Sequence, residues 1–191
     1  MTIKIRKLSK SYGDNLVLDN ISFDIEKGKV TTLMGKSGCG KTTLAHILLG
    51  ILKPDTGNIE GISGKSIAAV FQEDRLCEHL SAIGNIQFVL KTQKKPSEVI
   101  EHFKQVDLSQ DILNKQVKNL SGGQRRRVAI LRAIIADRDF ICLDEPFKGL
   151  DKATKQKTML YVKKYIEGKT VLFITHDEQE ANFFGNIRNL T

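Results

Sequence analysis

Three glycines and two lysines fall within the eight residues GKSGCGKT at 35–42. The spacing Gly35-x-x-x-x-Gly40-Lys41-Thr42 supplies what a triphosphate cradle needs. Glycines let the backbone curl so that successive N–H groups face phosphate oxygens, and a helix that starts at the end of the loop adds its positive end. Lys41 brings a compact charge to the β- and γ-phosphates, and Thr42 brings a hydroxyl for magnesium. By composition alone the pattern arises in about one chain of this size per hundred. Here it has the required setting, between the strand-like run VTTLM and the apolar helical segment LAHILLGIL.

A second constellation lies a hundred residues on. FICLDEP ends a buried apolar run with Asp144 and Glu145, at the carboxyl edge of a strand, where α/β sheets bind ligands. Asp144 would hold the magnesium shell there, and Glu145 would act as general base or orient the attacking water. Taken alone, the same residues also read as a capped turn before Pro146. A third stretch, LSGGQRRR at 120–127, opens another helix with Ser121, Gly122, Gly123 and Gln124. It is either a second anion-binding turn or an ordinary helix cap.

The elements that must carry these groups follow from patterning. Ile3/Ile5 and Ile21/Phe23/Ile25 alternate, with turn residues at GDN and EKGK, and predict antiparallel strands. IAAVF (67–71), FICL (140–143) and VLFIT (171–175) are continuous apolar runs, as in parallel strands covered on both faces. Helical stretches are predicted over 42–52, 97–106, 122–136 and 152–167, the last capped by Gly168. The alternation predicts an α/β fold with a mainly parallel sheet flanked by helices, a small antiparallel β subdomain, and a helical insert.

With 191 residues, 40% hydrophobic and 27% charged, the chain is long enough for one core-bearing domain. Its net charge of +8 favours an anionic partner, although the basic residues are scattered. Cys39, Cys77 and Cys142 form neither a disulfide framework nor a zinc pattern, which fits a reducing interior. The amino terminus lacks the apolar core of a signal peptide, and the cluster around Ile47–Leu52 is too short to span a bilayer.

Together the motifs resemble the ATP-binding cassette of ABC transporters. LSGGQ is that family's signature, and the other elements fall in order along nearly the whole chain. The resemblance implies a P-loop NTPase that binds and hydrolyses ATP with Mg2+. Residues 1–76 and 135–191 would form the nucleotide-binding core with its antiparallel β subdomain, and 77–134 the helical subdomain with the signature. Gly35, Lys36, Ser37, Gly38, Cys39, Gly40, Lys41, Thr42 and Thr43 would wrap the phosphates. Tyr12 would stack on adenine, Gln72 would touch magnesium and the water, and His176 would bond the γ-phosphate.

Ser121–Gln124 would face the nucleotide of a second copy, so that two cassettes close head to tail around two ATP molecules. Asp151 in the stretch GLD would cross that interface and cap a helix as well. The implied partners are transmembrane permease subunits, met through the Gln72 loop, and an extracellular substrate-binding protein. The chain would then lie in the cytoplasm, on the inner face of the membrane. The stretch VFQEDRLCEHLSAIGNI and the phrase DEPF are similar to bacterial import cassettes, particularly those for nitrate, sulfonate and taurine.

Three departures accompany the resemblance. The spacing from Lys41 to Gln72 is tight, so the antiparallel strands after Pro54 should be trimmed. The stretch DEQEANFFGNIRNLT after His176 is expected to be too short for a regulatory domain or for the usual last strands and helix. Lys148 stands where many relatives carry a small residue. The arginines at 125–127 lack interleaved aromatics for base stacking and are expected on a solvated face; nucleic acid is thus the less favoured partner. His46, His79 and His102 match no functional position.

Overall fold

A computed structural model of the protein describes residues 2–92 and 94–190. Its strands are β1 (Ile3–Tyr12), β2 (Asn15–Ile25), β3 (Val30–Met34), β4 (Thr56–Glu60), β5 (Ile67–Val70), β6 (Phe140–Asp144), β7 (Thr170–Ile174) and β8 (Ile187–Asn189). Its helices are α1 (Lys41–Leu48), α2 (Ala82–Gln87), α3 (Pro96–Gln105), α4 (Gly122–Ile135), α5 (Lys152–Tyr165) and α6 (Glu178–Phe184), with short 3-10 turns at Gln110–Ile112 and Val117–Asn119.

The chain divides into two compact units, 1–69 with 139–145 and 167–191, and 70–138 with 146–166. In the first, β2-β1-β4 form an antiparallel sheet and β5-β6-β7-β3-β8 a second sheet. Pairings β6–β7, β3–β7 and β3–β8 are parallel. Every residue of β6 and β7 is buried, which is why these strands read as unbroken apolar runs. One apolar cluster unites Ile3, Ile5 and Leu8 of β1, Leu44, Ala45 and Leu48 of α1, Phe140 and Cys142 of β6, and Leu172 and Ile174 of β7. Burial pushes the Cys142 thiol far above its ordinary range, so this cysteine behaves as a small hydrophobe.

Several expectations are corrected in detail. The first helix stops at Leu48 rather than running to 52, because Gly50 turns left-handed at φ +71° and the amides of Ile51 and Leu52 bond back to the His46 carbonyl. Likewise α5 ends at Tyr165, with Gly168 (φ +71°) in the turn beyond it. After Pro54 only one antiparallel strand remains, β4. The stretch after His176, expected to be too short for a last strand and helix, forms both. Asp177 caps α6 by accepting from the amides of Gln179 and Glu180 at 2.8 and 3.1 Å, and buried Leu190 donates its amide to the Met34 carbonyl at 2.7 Å.

The second unit is helical and takes in 146–166 along with 70–138, a wider span than the 77–134 anticipated. Here α4 packs against both α2 and α5. His102 of α3 lies 2.9 Å from the Tyr161 hydroxyl of α5; burial, with help from the Lys94 charge, holds its imidazole below the ordinary histidine range.

Leu172 is fully buried on β7, so Leu172→Ala should destabilise the fold by about 2–5 kcal/mol. Chemical denaturation would show the midpoint fall at an unchanged slope.

Candidate functional site

The site is built on strand ends. The neighbouring strands β6, β7 and β3 deliver at their carboxyl edges Asp144 with Glu145, Thr175 with His176, and the loop from Gly35. Two bonds tie these ends together: the Glu145 amide donates to the Ile174 carbonyl at 2.9 Å, and the Thr175 amide to the Leu33 carbonyl at 3.2 Å.

The loop 35–40 ends on Gly40, which takes φ +95° as the N-cap of α1 and has no side chain to cap the helix. The first-turn N–H groups are therefore left for a ligand. A Cβ at Gly40 would stand 2.6 Å from Leu18 Cδ2 and 2.8 Å from the Val17 carbonyl, so both sterics and conformation require glycine. Lys41 is buried. Its Nζ donates to the carbonyls of Gly35 and Lys36 at 2.7 and 2.8 Å and lies 3.8 Å from Cys39 Sγ. The ammonium is thus held inside the loop, between acceptors that a phosphate group would compete with. Lys36, Ser37 and Gly38 are exposed on the loop's outer side, and Thr43 is half-buried in the first turn of α1.

Behind the loop, Thr42 Oγ1 donates to Asp144 Oδ2 at 2.8 Å. These hard oxygen donors suit magnesium. Burial raises the Asp144 carboxyl above the ordinary range; the Thr42 hydrogen bond opposes this, and the neighbouring Glu145 charge adds to it. One residue on, Glu145 adopts φ +46°, a conformation that costs a residue with a Cβ about 1–3 kcal/mol and gathers at functional sites. His176 Nδ1 donates to Glu145 Oε1 at 2.9 Å. Because the carboxylate only accepts, this bond places the proton on Nδ1.

Two supporting residues carried no sequence signal. Thr175 Oγ1 donates to the buried carboxylate of Glu180 at 2.6 Å and accepts from the Asp177 amide at 3.1 Å, which fixes the turn that presents His176. A polar pair five residues apart at the start of a short helix looks like any helix cap until its burial is known. Tyr12, at the end of β1, is half exposed with the Lys10 ammonium 5.9 Å from its ring centroid.

All of those residues belong to the first unit. Gln72, Ser121–Gln124 and Asp151 belong to the second. Gln72 lies two residues beyond the end of β5 and is exposed. Ser121 and Gln124 form a reciprocal capping box: the Ser121 hydroxyl accepts from the Gln124 amide at 3.3 Å, and Gln124 Oε1 accepts from the Ser121 amide at 2.9 Å. Gly122 and Gly123 are left as the open lip of this turn. Asp151 caps α5 by accepting from the amides of Ala153 and Thr154 at 3.1 and 3.0 Å, and the bond to Thr154 holds its carboxyl below the ordinary range.

The arginine run departs from the solvated face expected of it. Arg126 is buried, and Arg127 donates to the carbonyls of Gly123, Val106 and Asp107 at 3.0, 3.0 and 2.6 Å.

The sequence profile described as ABC transporter matches residues 18–148. The chain is 38% identical over 197 residues to the spermidine/putrescine import ATP-binding protein PotA of Legionella pneumophila, covering 94% of this chain and 53% of that protein. It is 35% identical over 201 residues to the sulfate/thiosulfate import ATP-binding protein CysA of Pseudomonas syringae pv. tomato, covering 95% and 61%. The chain thus spans about half the length of the curated relatives it matches. Its fold superposes on a dimeric bacterial ABC transporter cassette, MJ0796, with a TM-score of 0.87 at 31% identity, covering 98% of this chain and 94% of that one. The same cassette in a post-hydrolysis state with ADP and Pi matches equally well.

Because burial disfavours the charged form of Asp144, the folded chain holds this proton more tightly than the unfolded chain does. The group therefore opposes folding increasingly as pH rises through the carboxylate range. Asp144→Asn keeps an acceptor for Thr42 and removes the charge. Its Tm should exceed the parent's by a few degrees at pH 7, and the gain should shrink as pH falls toward 4; calorimetry across that range checks both.

Proposed function

This chain belongs to the ABC transporter family, and on that premise we propose that it is the ATP-binding and hydrolysing subunit of a transporter, most consistent with an importer. The observation that carries the reading is the convergence, on one strand edge, of the buried Lys41 ammonium, the Thr42–Asp144 pair and the Glu145–His176 pair.

In this reading the amides of 35–43 and the Lys41 ammonium bind the β- and γ-phosphates of ATP, exchanging the loop carbonyls that now hold the lysine for phosphate oxygens. Thr42, Asp144 and Gln72 would hold Mg2+, which supplies charge neutralisation on the phosphate oxygens when bound. Glu145 orients water for in-line attack and accepts its proton. His176, its Nδ1–H committed to Glu145, would donate to a γ-phosphate oxygen from Nε2 when both ring nitrogens carry a proton. Little covalent chemistry is asked of the protein; positioning and electrostatics supply the rate. Tyr12, half exposed at the end of β1, would supply a ring for adenine.

The second anion turn, Ser121–Gln124, serves the nucleotide bound by another copy, with Asp151 beside it, so that ATP closes a head-to-tail dimer. Hydrolysis removes the γ-phosphate that joins the two copies, and the dimer reopens. The dimeric relative of closely similar fold supports the pairing of two copies. Among the described residues no helix is long and apolar enough to cross a membrane. In this reading the transport path lies in permease subunits that the Gln72 loop contacts. The chain would then sit on the cytoplasmic face of the membrane, with an extracellular substrate-binding protein delivering the cargo. The import relatives carry different substrates in their names, in keeping with a cassette that powers transport without reading the cargo.

Glu145→Gln should retain ATP binding and lose about 10²–10⁴ in turnover, so that a dimer accumulates in ATP on size exclusion. A phosphate-release rate equal to the parent's would remove Glu145 from the reaction.

A further inference from the structure

The loop that carries Gln72 lies outside every helix and strand, yet its main chain is held from one side by a single helix. Arg126 Nη1 donates to the Phe71 carbonyl at 2.6 Å, Nη2 donates to the Gln72 carbonyl, and Nε lies 3.3 Å from Asp74 Oδ1. Farther along α4, Arg132 donates to the carbonyls of Arg75 and Asp74 at 2.8 and 3.4 Å. Four of the five carbonyls from 71 to 75 are thus taken by two guanidinium groups of one helix. All of these residues lie in the second unit.

Arg126 is only 6% exposed. A buried guanidinium needs its charge and donors matched; here two carbonyls accept from Nη1 and Nη2, and the Asp74 carboxylate balances the charge as an ion pair without a hydrogen bond to Nε. Its rigid fork fixes the plane of what it binds, where a lysine would supply a point charge. With the carbonyls of Phe71 and Gln72 both held, the peptides on either side of Gln72 are fixed, and the residue itself is exposed. Arg75 reinforces the bend: it takes φ +44° and stacks its guanidinium 4.1 Å from the Phe71 ring centroid.

We propose that Arg126 is a positioning residue that makes the Gln72 loop move with the Ser121–Gln124 turn, because both are fixed to the first two turns of α4. The inference rests on the reading of Gln72 given under Proposed function. Displacement of the signature turn by a nucleotide on another copy is delivered directly to the Gln72 main chain, and force on the Gln72 loop is returned to the signature turn, as reciprocity of coupling requires. Arg132 anchors the far end of the same segment.

Hydrogen exchange on the full chain tests the clamp, and hydrolysis tests its purpose. In Arg126→Met, amides of 71–76 should exchange about tenfold faster while those of 128–134 stay protected; unchanged exchange at 71–76 overturns the proposal. Should that variant fail to fold, Arg126→Lys, which keeps the charge without the fork, is expected to show the same local acceleration. Arg126→Met should lower kcat about tenfold with the ATP Kd within about twofold, and Arg126→Lys should fall between it and the parent. The double variant Gln72→Ala/Arg126→Met should be no slower than Gln72→Ala alone. Multiplying losses would overturn the positioning role and leave Gln72 in place, whereas a Gln72→Ala rate equal to the parent's would overturn the reading of Gln72 and the clamp's purpose with it.

Discussion

One hydrogen bond, from the Thr42 hydroxyl to the Asp144 carboxylate, joins residues 102 positions apart in the chain and gives the phosphate loop and the acidic strand end a common centre. It requires α1 to begin where β6 ends. The apolar cluster shared by α1, β1, β6 and β7 holds them there. Hydrophobic burial is non-directional, so it brings these elements together without choosing their register; the buried polar pair chooses it. Burial keeps the carboxyl above its ordinary range, and such shifts gather at functional sites.

The same economy of placement marks the other charged groups. Lys41 is held by loop carbonyls in the position where a phosphate would meet it, so ligand binding exchanges partners without exposing a charge. Glu145 keeps a left-handed backbone because the Ile174 carbonyl takes its amide and His176 takes its carboxylate. The strain is sustained by neighbours that are themselves fixed by the sheet.

In the second unit, charge serves as internal scaffolding. Arg126, Arg127 and Arg132 are spent on main-chain oxygens of 71–75, 106–107 and 123, so part of the net charge of +8 belongs to the architecture of the Gln72 and signature segments. A loop with no ladder of its own acquires a defined path in this way, and helix α4 becomes the common mount of both.

The sequence by itself determined the fold class and named the groups that meet at the strand ends. The glycine spacing of 35–42, the apolar run ending in Asp144-Glu145 and the SGGQ turn each carry local information, because loop curvature, strand burial and helix capping depend on residues close in the chain. It also marked β6 and β7 as buried on both faces, but it expected the same of β5, where Ala68 and Val70 are buried and Ile67 and Ala69 only half-buried. Legibility failed where distant partners decide. Nothing near Arg126 says that Phe71 and Gln72 will supply its acceptors. Nothing in EQEANFF says that Glu180 will brace Thr175, or that the residues after it will put Leu190 in the core and add β8 beside β3. The tertiary structure alone decided those, since burial turns a surface-like charge or a marginal helix into a fixed one only after the rest of the chain has closed around it.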